Sequence, residues 1–325
     1  RNRHAMSQPK AIRVPKGFQA AAVKSGIKPS GSLDLAVLVA DGPCSAAGTF
    51  TTNRICAAPV RWSREHLPSD QIRAIVVNSG NANAATGEQG LRNARRTAEI
   101  AAGRIGCRPE QVLVASTGVI GHQLPMDRLE SGLETALGQL EGTSDAFEVA
   151  SRAILTTDTR PKTITQTIQS GSHEDLLFGM AKGAAMIGPR MATMLAFLLT
   201  DAPVRTSDLQ AIVSEAVDRS FNCVSVEGHT STNDSVFLLA RNHDDRPPYQ
   251  GKDLIAFAEA VDEACQYLAR QMADDGEGAT HSITIDIEGC QDREQARSIA
   301  RAVADSPLVK TAIHGADPNW GRIVS

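Results

Sequence analysis

Short apolar runs alternate with longer amphipathic stretches along most of the chain, and each kind of run predicts a different element. Largely apolar runs bounded by turn residues, as at 35–40 and 72–77, predict buried strands. Apolar residues that recur every three or four positions, as at 87–105, predict a helix packed by one face. The same criteria predict strands at 112–114, 163–170, 235–240, 281–287 and directly after residue 193, and helices at 127–140, 145–155, 207–219, 254–272 and 291–304.

Turn-forming residues mark the expected strand ends. Asp-Gly-Pro at 41–43 is expected to end the first strand, and Ser-Thr-Gly at 116–118 to end the strand at 112–114. The segment 281–287 alternates apolar and polar residues with a period of two, which is typical of a half-exposed strand. Frequent strands and amphipathic helices together predict an α/β fold of the α+β type, with sheets packed against covering helices.

Composition and charge argue against nucleic acids and membranes as binding partners. The 325 residues are 42% hydrophobic, enough for a large core, and the formal charge of −4 comes without a strong basic patch, which argues against nucleic acid. No run approaches the ~18 apolar residues of a membrane span, so no membrane partner is expected. Residues 1–10 lack an apolar signal core, and we expect them to be a flexible remnant ahead of the native start.

Cysteine usage bears on compartment and metal binding. The six cysteines are scattered without a Cys-x-x-Cys pair, which favours reduced core thiols in a cytoplasmic protein over a disulfide scaffold or a zinc site. His229 beside Glu227 is the nearest approach to a metal motif, but no second histidine lies at ligand spacing. The sequence predicts no metal.

A candidate nucleophile lies where a Gly/Pro-containing loop runs into an apolar strand, at Thr193 after Ala192. If the bond before Thr193 is cut, its freed α-amine can act as the base that activates its own hydroxyl. The alternative is an ordinary strand that begins with a β-branched residue.

Four more stretches combine small and polar residues near predicted strands, and each has a structural alternative. Residues 115–121 suit an oxyanion hole or a capped turn, and 156–162 a polar-ligand site or a capped turn. Residues 221–234 suit a site wall or a loop-packing network. Glu277, between two glycines in 274–280, can face a cationic group or belong to a solvated helix end.

These stretches together resemble the ornithine acetyltransferase (glutamate N-acetyltransferase) family of arginine biosynthesis. The loop Lys-Gly-Ala-Ala-Met-Ile-Gly-Pro-Arg-Met-Ala-Thr-Met-Leu at 182–195 is similar to the family's cleavage motif. Motifs similar to the family's follow its order at 78–83, 116–121, 156–159, 231–234, 275–280 and 315–323. The resemblance implies a self-processing fold shared with DmpA-type aminopeptidases. It also implies cleavage between Ala192 and Thr193 into an α-chain region (11–192) and a β-chain region (193–325), the latter lacking the family's C-terminal segment.

The resemblance also implies roles for individual residues. Thr193 is the implied nucleophile, Thr117 and Gly118 form the oxyanion hole, and three residues bind substrate alongside Thr193: Thr156, Lys182 and Glu277. The implied reaction is ping-pong acetyl transfer from N-acetylornithine to glutamate without a cofactor. Acetyl-CoA as a second donor and a dimer of αβ units are further implications.

Several positions depart from the family pattern. Ala185 replaces a glycine of the cleavage loop and restricts its backbone, which would slow self-cleavage if the loop needs a left-handed residue. Cys223 and the Glu-Gly-His ending at His229 replace residues of different charge, so substrate choice is open. Two other functions remain: a self-processing amidase or aminopeptidase with water as the acceptor, and a non-enzymatic binding protein.

Overall fold

A single mixed β-sheet organises the part of the chain that the structure, a computed structural model, describes: residues 11–185, 194–226, 228, 230–242 and 245–325. Eight strands form this sheet in the order β4-β3-β2-β8-β7-β6-β5, and β1 pairs with β2 beside that path. Pairing is parallel between β3 and β4 and between β7 and β8, and antiparallel elsewhere. The strands are β1 (Phe18–Val23), β2 (Leu35–Phe50), β3 (Ser69–Asn81), β4 (Val112–Val119), β5 (Lys162–Ser170), β6 (His173–Lys182), β7 (Leu195–Thr200) and β8 (Ser235–Ala240).

Strand β2 is long and bent, and it joins the two halves of the sheet. Its first half pairs with β1 and β3, and its second half, from Ser45, pairs with β8. The pairing register with β3 shifts between Val39 and Cys44. The prediction that residues 41–43 end this strand is therefore wrong. A bulge there bends the strand without ending it.

Helices cover the outer face of each half of the sheet. In β2, Leu35, Val37 and Val39 point to one core, shared with α2 and α3, while Ala36 and Leu38 point to a second core between the two halves. α5 and α6 pack on the outer face of the other half. The helices are α1 (Ala58–Glu65), α2 (Gly87–Ile105), α3 (Met126–Leu137), α4 (Ser144–Ala153), α5 (Thr206–Arg219), α6 (Gly251–Asp274), α7 (Arg293–Asp305), α8 (Pro307–His314) and α9 (Gly321–Val324).

The predicted fold class is confirmed, since helices pack on a mixed sheet. The predicted strand at 281–287 is wrong: the segment is largely exposed, and it pairs with no strand among the described residues. Alternation gives a segment two faces, but a strand also needs a neighbouring edge to take its backbone hydrogen bonds. None of the described helices is both long and apolar enough to cross a lipid bilayer.

Candidate active site

Two polar strand ends lie side by side where β3 and β4 run parallel. The Ser-Thr-Gly at 116–118, which was expected to end β4, continues it instead, and β3 extends through polar residues beside it. Ser79 therefore pairs with Thr117, and Gly80 with Gly118. The two glycines have φ values of 101° and 134°. A Cβ on Gly118 would lie 2.3 Å from the carbonyl carbon of Gly80. The close approach of the two backbones therefore requires glycine at position 118.

A buried hydrogen-bond network holds these strand ends. The Ser116 hydroxyl donates to Asn78 Oδ1 at 2.5 Å. The Asn233 side-chain amide donates to the carbonyls of Ala82 at 2.7 Å and Ser116 at 2.8 Å. Asn233 precedes β8, so this amide ties the start of β8 to the ends of β3 and β4. Buried amides satisfied in this way hold the surrounding backbone in one arrangement.

Lys182 brings three of the predicted site residues together. It is the last residue of β6, and only 1% of its surface is exposed. Its Nζ donates to Thr117 Oγ1 at 3.1 Å and to Thr156 Oγ1 at 2.7 Å. Thr117, Thr156 and Lys182 thus meet in one polar cluster, with Gly118 adjacent in the chain.

The electrostatics of Lys182 reflect its burial. Burial lowers the pKa of the Lys182 ammonium to about 8, because a cation is costly to remove from water. The carboxylates of Asp158 and Asp234 raise the pKa, and the ammonium groups of Lys162 and Lys28 lower it further. A lysine in this range changes its charge near neutral pH, which is common at functional sites.

A second buried lysine and two aspartates lie next to Lys182, and no sequence motif predicted their role. Lys162 Nζ bridges Asp158 Oδ1 at 2.7 Å and Asp275 Oδ2 at 2.6 Å, and all three side chains are almost fully buried. Asp158 Oδ2 lies 4.0 Å from Lys182 Nζ. Burial alone would raise the pKa of Asp158, but the two lysines and the Gly183 N–H keep it below its usual value. The available sequence signal was the i, i+4 pair Asp158 and Lys162.

Glu277 lies on a loop attached to the end of β6. Its backbone N–H donates to the carbonyl of Ala184 at 2.7 Å, and its side chain is exposed. Asp275, two residues earlier, accepts from Lys162, so this loop is fixed at two points beside Lys182. The structure thus places Glu277 next to the cluster but outside its buried hydrogen bonds.

Ala192 and Thr193, the predicted cleavage site, lie outside the described residues. The residue after them is firmly held: the Met194 N–H donates to Asp234 Oδ1 at 3.0 Å, and its carbonyl accepts from the Ser235 N–H at 3.2 Å. Leu195 then pairs with Lys182 on one side and Ser235 on the other. The chain that follows Thr193 therefore starts beside Lys182.

Asp234 is a further site residue, for which the sequence motifs predicted no individual role. Its side chain is fully buried, and burial raises its pKa well above the usual range. The hydrogen bond from the Met194 N–H and the positive charge of Lys182 favour its ionised form. The Thr51 hydroxyl donates to the Ser231 carbonyl, and Oδ2 of Asp234 accepts no well-formed hydrogen bond from any described residue.

The departures from the family pattern lie in different places. Ala185 is not among the described residues with positive φ, so its methyl is accommodated in the conformation seen here, whereas Gly183 has a φ of 154°. Cys223 is exposed, and its thiol contacts the carbonyl of Asp218 at 3.5 Å, away from Lys182. His229 lies outside the described residues. Within the described ranges, no group of three or more His, Cys, Asp or Glu is placed to hold a metal ion.

Comparison with known proteins places these observations in a family. A profile of the ArgJ family matches residues 19–325. The arginine biosynthesis bifunctional protein ArgJ of Dehalococcoides mccartyi is 48% identical over 320 residues, which are 97% of this chain and 78% of the relative. The protein of the same name from Bifidobacterium longum is 46% identical over 317 residues, 97% of this chain and 79% of the relative. The crystal structure of arginine biosynthesis bifunctional protein argJ from Bacillus halodurans is 35% identical, with a TM-score of 0.51, covering 55% of this chain and 92% of that chain. The predicted family is confirmed, and the chain belongs to the ArgJ family.

Proposed function

We propose that this protein is an acetyltransferase of arginine biosynthesis that transfers the acetyl group of N-acetylornithine to glutamate, with Thr193 as its nucleophile. The observation that carries the proposal is the meeting of Lys182, Thr117 and Thr156 at the strand ends beside Met194. That cluster offers hydroxyls and a cation at the place where the chain after Thr193 is anchored. Membership of the ArgJ family supports the substrates and the pathway.

The first step in this proposal is self-cleavage. The Thr193 hydroxyl attacks the Ala192 carbonyl carbon, the C–N bond to Thr193 breaks, and an ester between Ala192 and the Thr193 oxygen forms. The hydroxyl proton passes to the departing nitrogen, which becomes the free α-amine of Thr193. Water then hydrolyses the ester to the Ala192 carboxylate and the free Thr193 hydroxyl. The reference pKa of such an amine is about 7.7–8.0, so it can accept a proton near neutral pH without a histidine.

Acetyl transfer then follows in two half-reactions. The Thr193 oxygen attacks the acetyl carbonyl of N-acetylornithine as its proton passes to the α-amine, and ornithine leaves with that proton. The amine of glutamate attacks the acetyl carbon, the bond from that carbon to the Thr193 oxygen breaks, and a proton of the attacking amine returns to that oxygen through the α-amine, so that N-acetylglutamate leaves. In each half-reaction we assign stabilisation of the oxyanion to the Thr117 hydroxyl and the Gly118 N–H. Thr156 and Lys182 lie beside Thr117, and we assign them to binding the same substrate.

The proposal extends to the substrate's charge and to partners. Glu277, exposed on the loop fixed beside Lys182, suits the cationic side chain of ornithine. Acetyl-CoA as an alternative donor, and a dimer of αβ units, are proposed on the family resemblance alone. A cytoplasmic location is proposed because all six cysteines are free thiols.

Cleavage and transfer are tested together on the purified chain. Intact mass and denaturing electrophoresis are expected to show two fragments split between Ala192 and Thr193, whereas Thr193→Ala gives one uncut chain. Thr135→Ala, on the exposed face of α3, is the matched control and is expected to cut normally. With N-acetylornithine and glutamate, the cut protein is expected to form N-acetylglutamate. Release of acetate without N-acetylglutamate would identify an amidase, and an uncut, inactive wild type would favour a binding protein.

A further inference from the structure

The hydrogen bonds of Lys182 determine which way two hydroxyl protons point. An ammonium group only donates, so the oxygens of Thr117 and Thr156 both act as acceptors toward Lys182 Nζ. Each hydroxyl keeps one proton, which must point away from Lys182. No described residue accepts either proton. The charged form of Lys182 therefore leaves two O–H donors directed elsewhere in a buried cluster.

Asp158 stabilises this arrangement through hydrogen bonds to the backbone and through its charge. Its Oδ1 accepts a hydrogen bond from the Gly183 N–H at 2.6 Å, and its Oδ2 accepts one from the Thr156 N–H at 3.2 Å. One carboxylate therefore fixes the backbone at Thr156 and at the residue after Lys182. The same carboxylate is the nearest anion to Lys182, at 4.0 Å. In a site without bulk water, such an ion pair favours the charged form of the lysine.

Lys162 holds Asp158 in turn. Its Nζ lies between Asp158 and Asp275, and its side chain is fully buried. Removing either partner from a buried ion pair leaves an uncompensated charge, so the members hold each other in place. The row Asp275, Lys162, Asp158 and Lys182 alternates in sign, and it also attaches the loop that carries Glu277.

We propose that Asp158 and Lys162 are positioning residues that hold Lys182 as a donor to Thr117 and Thr156, so that both hydroxyl protons are directed at the acyl oxygen of the substrate. The proposal rests on the proposed function, because it assigns these protons to acetyl transfer. Neither Asp158 nor Lys162 needs to touch substrate. Their effect passes through the charge and the place of the Lys182 ammonium.

The pH dependence follows from the groups around Lys182. Because its pKa is about 8, the ammonium is present below that pH and is lost as the pH rises through it. A neutral amine can accept a proton from Thr117, which would turn that hydroxyl away from the substrate. Among the described residues, the charged groups that act on Lys182 are Asp158 before β5, Lys162 on β5, Asp234 before β8 and Lys28 after β1.

Two substitutions are expected to move the alkaline limit of activity in opposite directions. Asp158→Asn removes the nearest anion and is expected to move the fall in activity to lower pH by about one pH unit. Lys162→Gln removes a repelling cation and is expected to move it to higher pH. Lys162→Arg keeps the charge and is the control, with little change expected. A purely structural role would lower activity in all three without opposite shifts.

The experiment measures initial rates of N-acetylglutamate formation between pH 6 and 10 on cut, folded protein. The titration of Lys182, followed by NMR of lysine labelled with ¹³C at Cε and assigned with Lys182→Met, is expected to show the same opposite shifts. Shifts in one direction, or none, in folded variants would overturn the proposal. If Asp158→Asn does not fold, the Lys162→Gln and Lys162→Arg pair carries the test. A wild type that forms no N-acetylglutamate refutes the proposed function instead, and the NMR titration still reports on the positioning.

Discussion

Gly118 offers the sharpest test of how the two parallel strand ends build the site. Gly118→Ala places a Cβ 2.3 Å from the carbonyl carbon of Gly80 and 2.5 Å from the Asn81 nitrogen. Both contacts are to backbone, which no side-chain rotation can relieve. The φ of 134° at this position is also one that residues with a side chain rarely adopt. We expect β4 to shift away from β3 at the residue that follows Thr117.

The expected loss of stability in Gly118→Ala has two parts. An unfavourable backbone conformation costs about 1–3 kcal/mol, and forcing an extra methyl into a packed site costs about 1–3 kcal/mol more. Gly121 provides the matched control, since it has a φ of 85° but no heavy atom lies within 4 Å of the position that an alanine methyl would occupy there. Gly121→Ala therefore carries only the conformational cost. The difference between the two variants isolates the clash, at about 1–3 kcal/mol.

Two measurements check this reasoning. Urea unfolding is expected to place Gly118→Ala below Gly121→Ala in stability by that difference. Because a misplaced oxyanion donor typically costs about 100-fold or more, kcat/KM for acetyl transfer is expected to fall by at least that factor in Gly118→Ala. Gly121→Ala is expected to stay within about threefold of wild type. Equal stability and equal activity of the two variants would refute the argument that Gly80 and Gly118 must approach closely.

Two further predictions concern buried groups. Burial raises the pKa of Asp234, so the contribution of this group to stability is fully present at low pH and falls as the pH rises above the unfolded pKa. Asp234→Asn is expected to remove that part of the pH dependence in urea unfolding. Asp234→Ala also leaves the Met194 N–H unpaired, so its free energy of unfolding is expected to fall by about 1–3 kcal/mol. If the stability of Asp234→Asn varied with pH as that of the wild type does, Asp234 would not be the group responsible. Burial raises the pKa of Cys44 to about 12, whereas Cys223 is exposed. A thiol reagent at pH 8, followed by peptide mass mapping, is expected to modify Cys223 and spare Cys44, with modification of native Cys44 as the opposing result.

Much of the fold follows from periodicity. The amphipathic pattern predicts α2 at 87–105 and the apolar run predicts β8 at 235–240, and both elements have those bounds. The local sequence is enough to predict these two elements, since one face of α2 is apolar and every residue of β8 is buried. The segment 281–287 alternates apolar and polar residues just as regularly, but it forms no strand. A strand also needs a neighbouring strand to pair with, and the sequence of the segment itself does not determine whether one is available.

The buried ion pairs of Lys162 with Asp158 and Asp275 show why the site is harder to predict than the fold. Thr117, Thr156 and Lys182 came from motif resemblance, and the structure brings them together. Asp158 and Lys162 lie in a polar stretch that suits a capped turn, and charged residues are usually exposed. Their burial depends on Asp275, which is 113 residues from Lys162 in the chain. No local pattern contains that partner.

The strand order also indicates how the fold would stay together after a cut at the proposed place. In the order β4-β3-β2-β8-β7-β6-β5, strands β7 and β8 lie between β2 and β6. A break before Thr193 would leave β1 to β6 on one fragment and β7 and β8 on the other, joined by the β2–β8 and β6–β7 ladders. The fully buried residues of β7 would keep both neighbours. Because Met194 is held by Asp234 and Ser235 on its own fragment, the new terminus would stay beside Lys182 of the other fragment. The interleaving of the strands would thus build one site from both fragments.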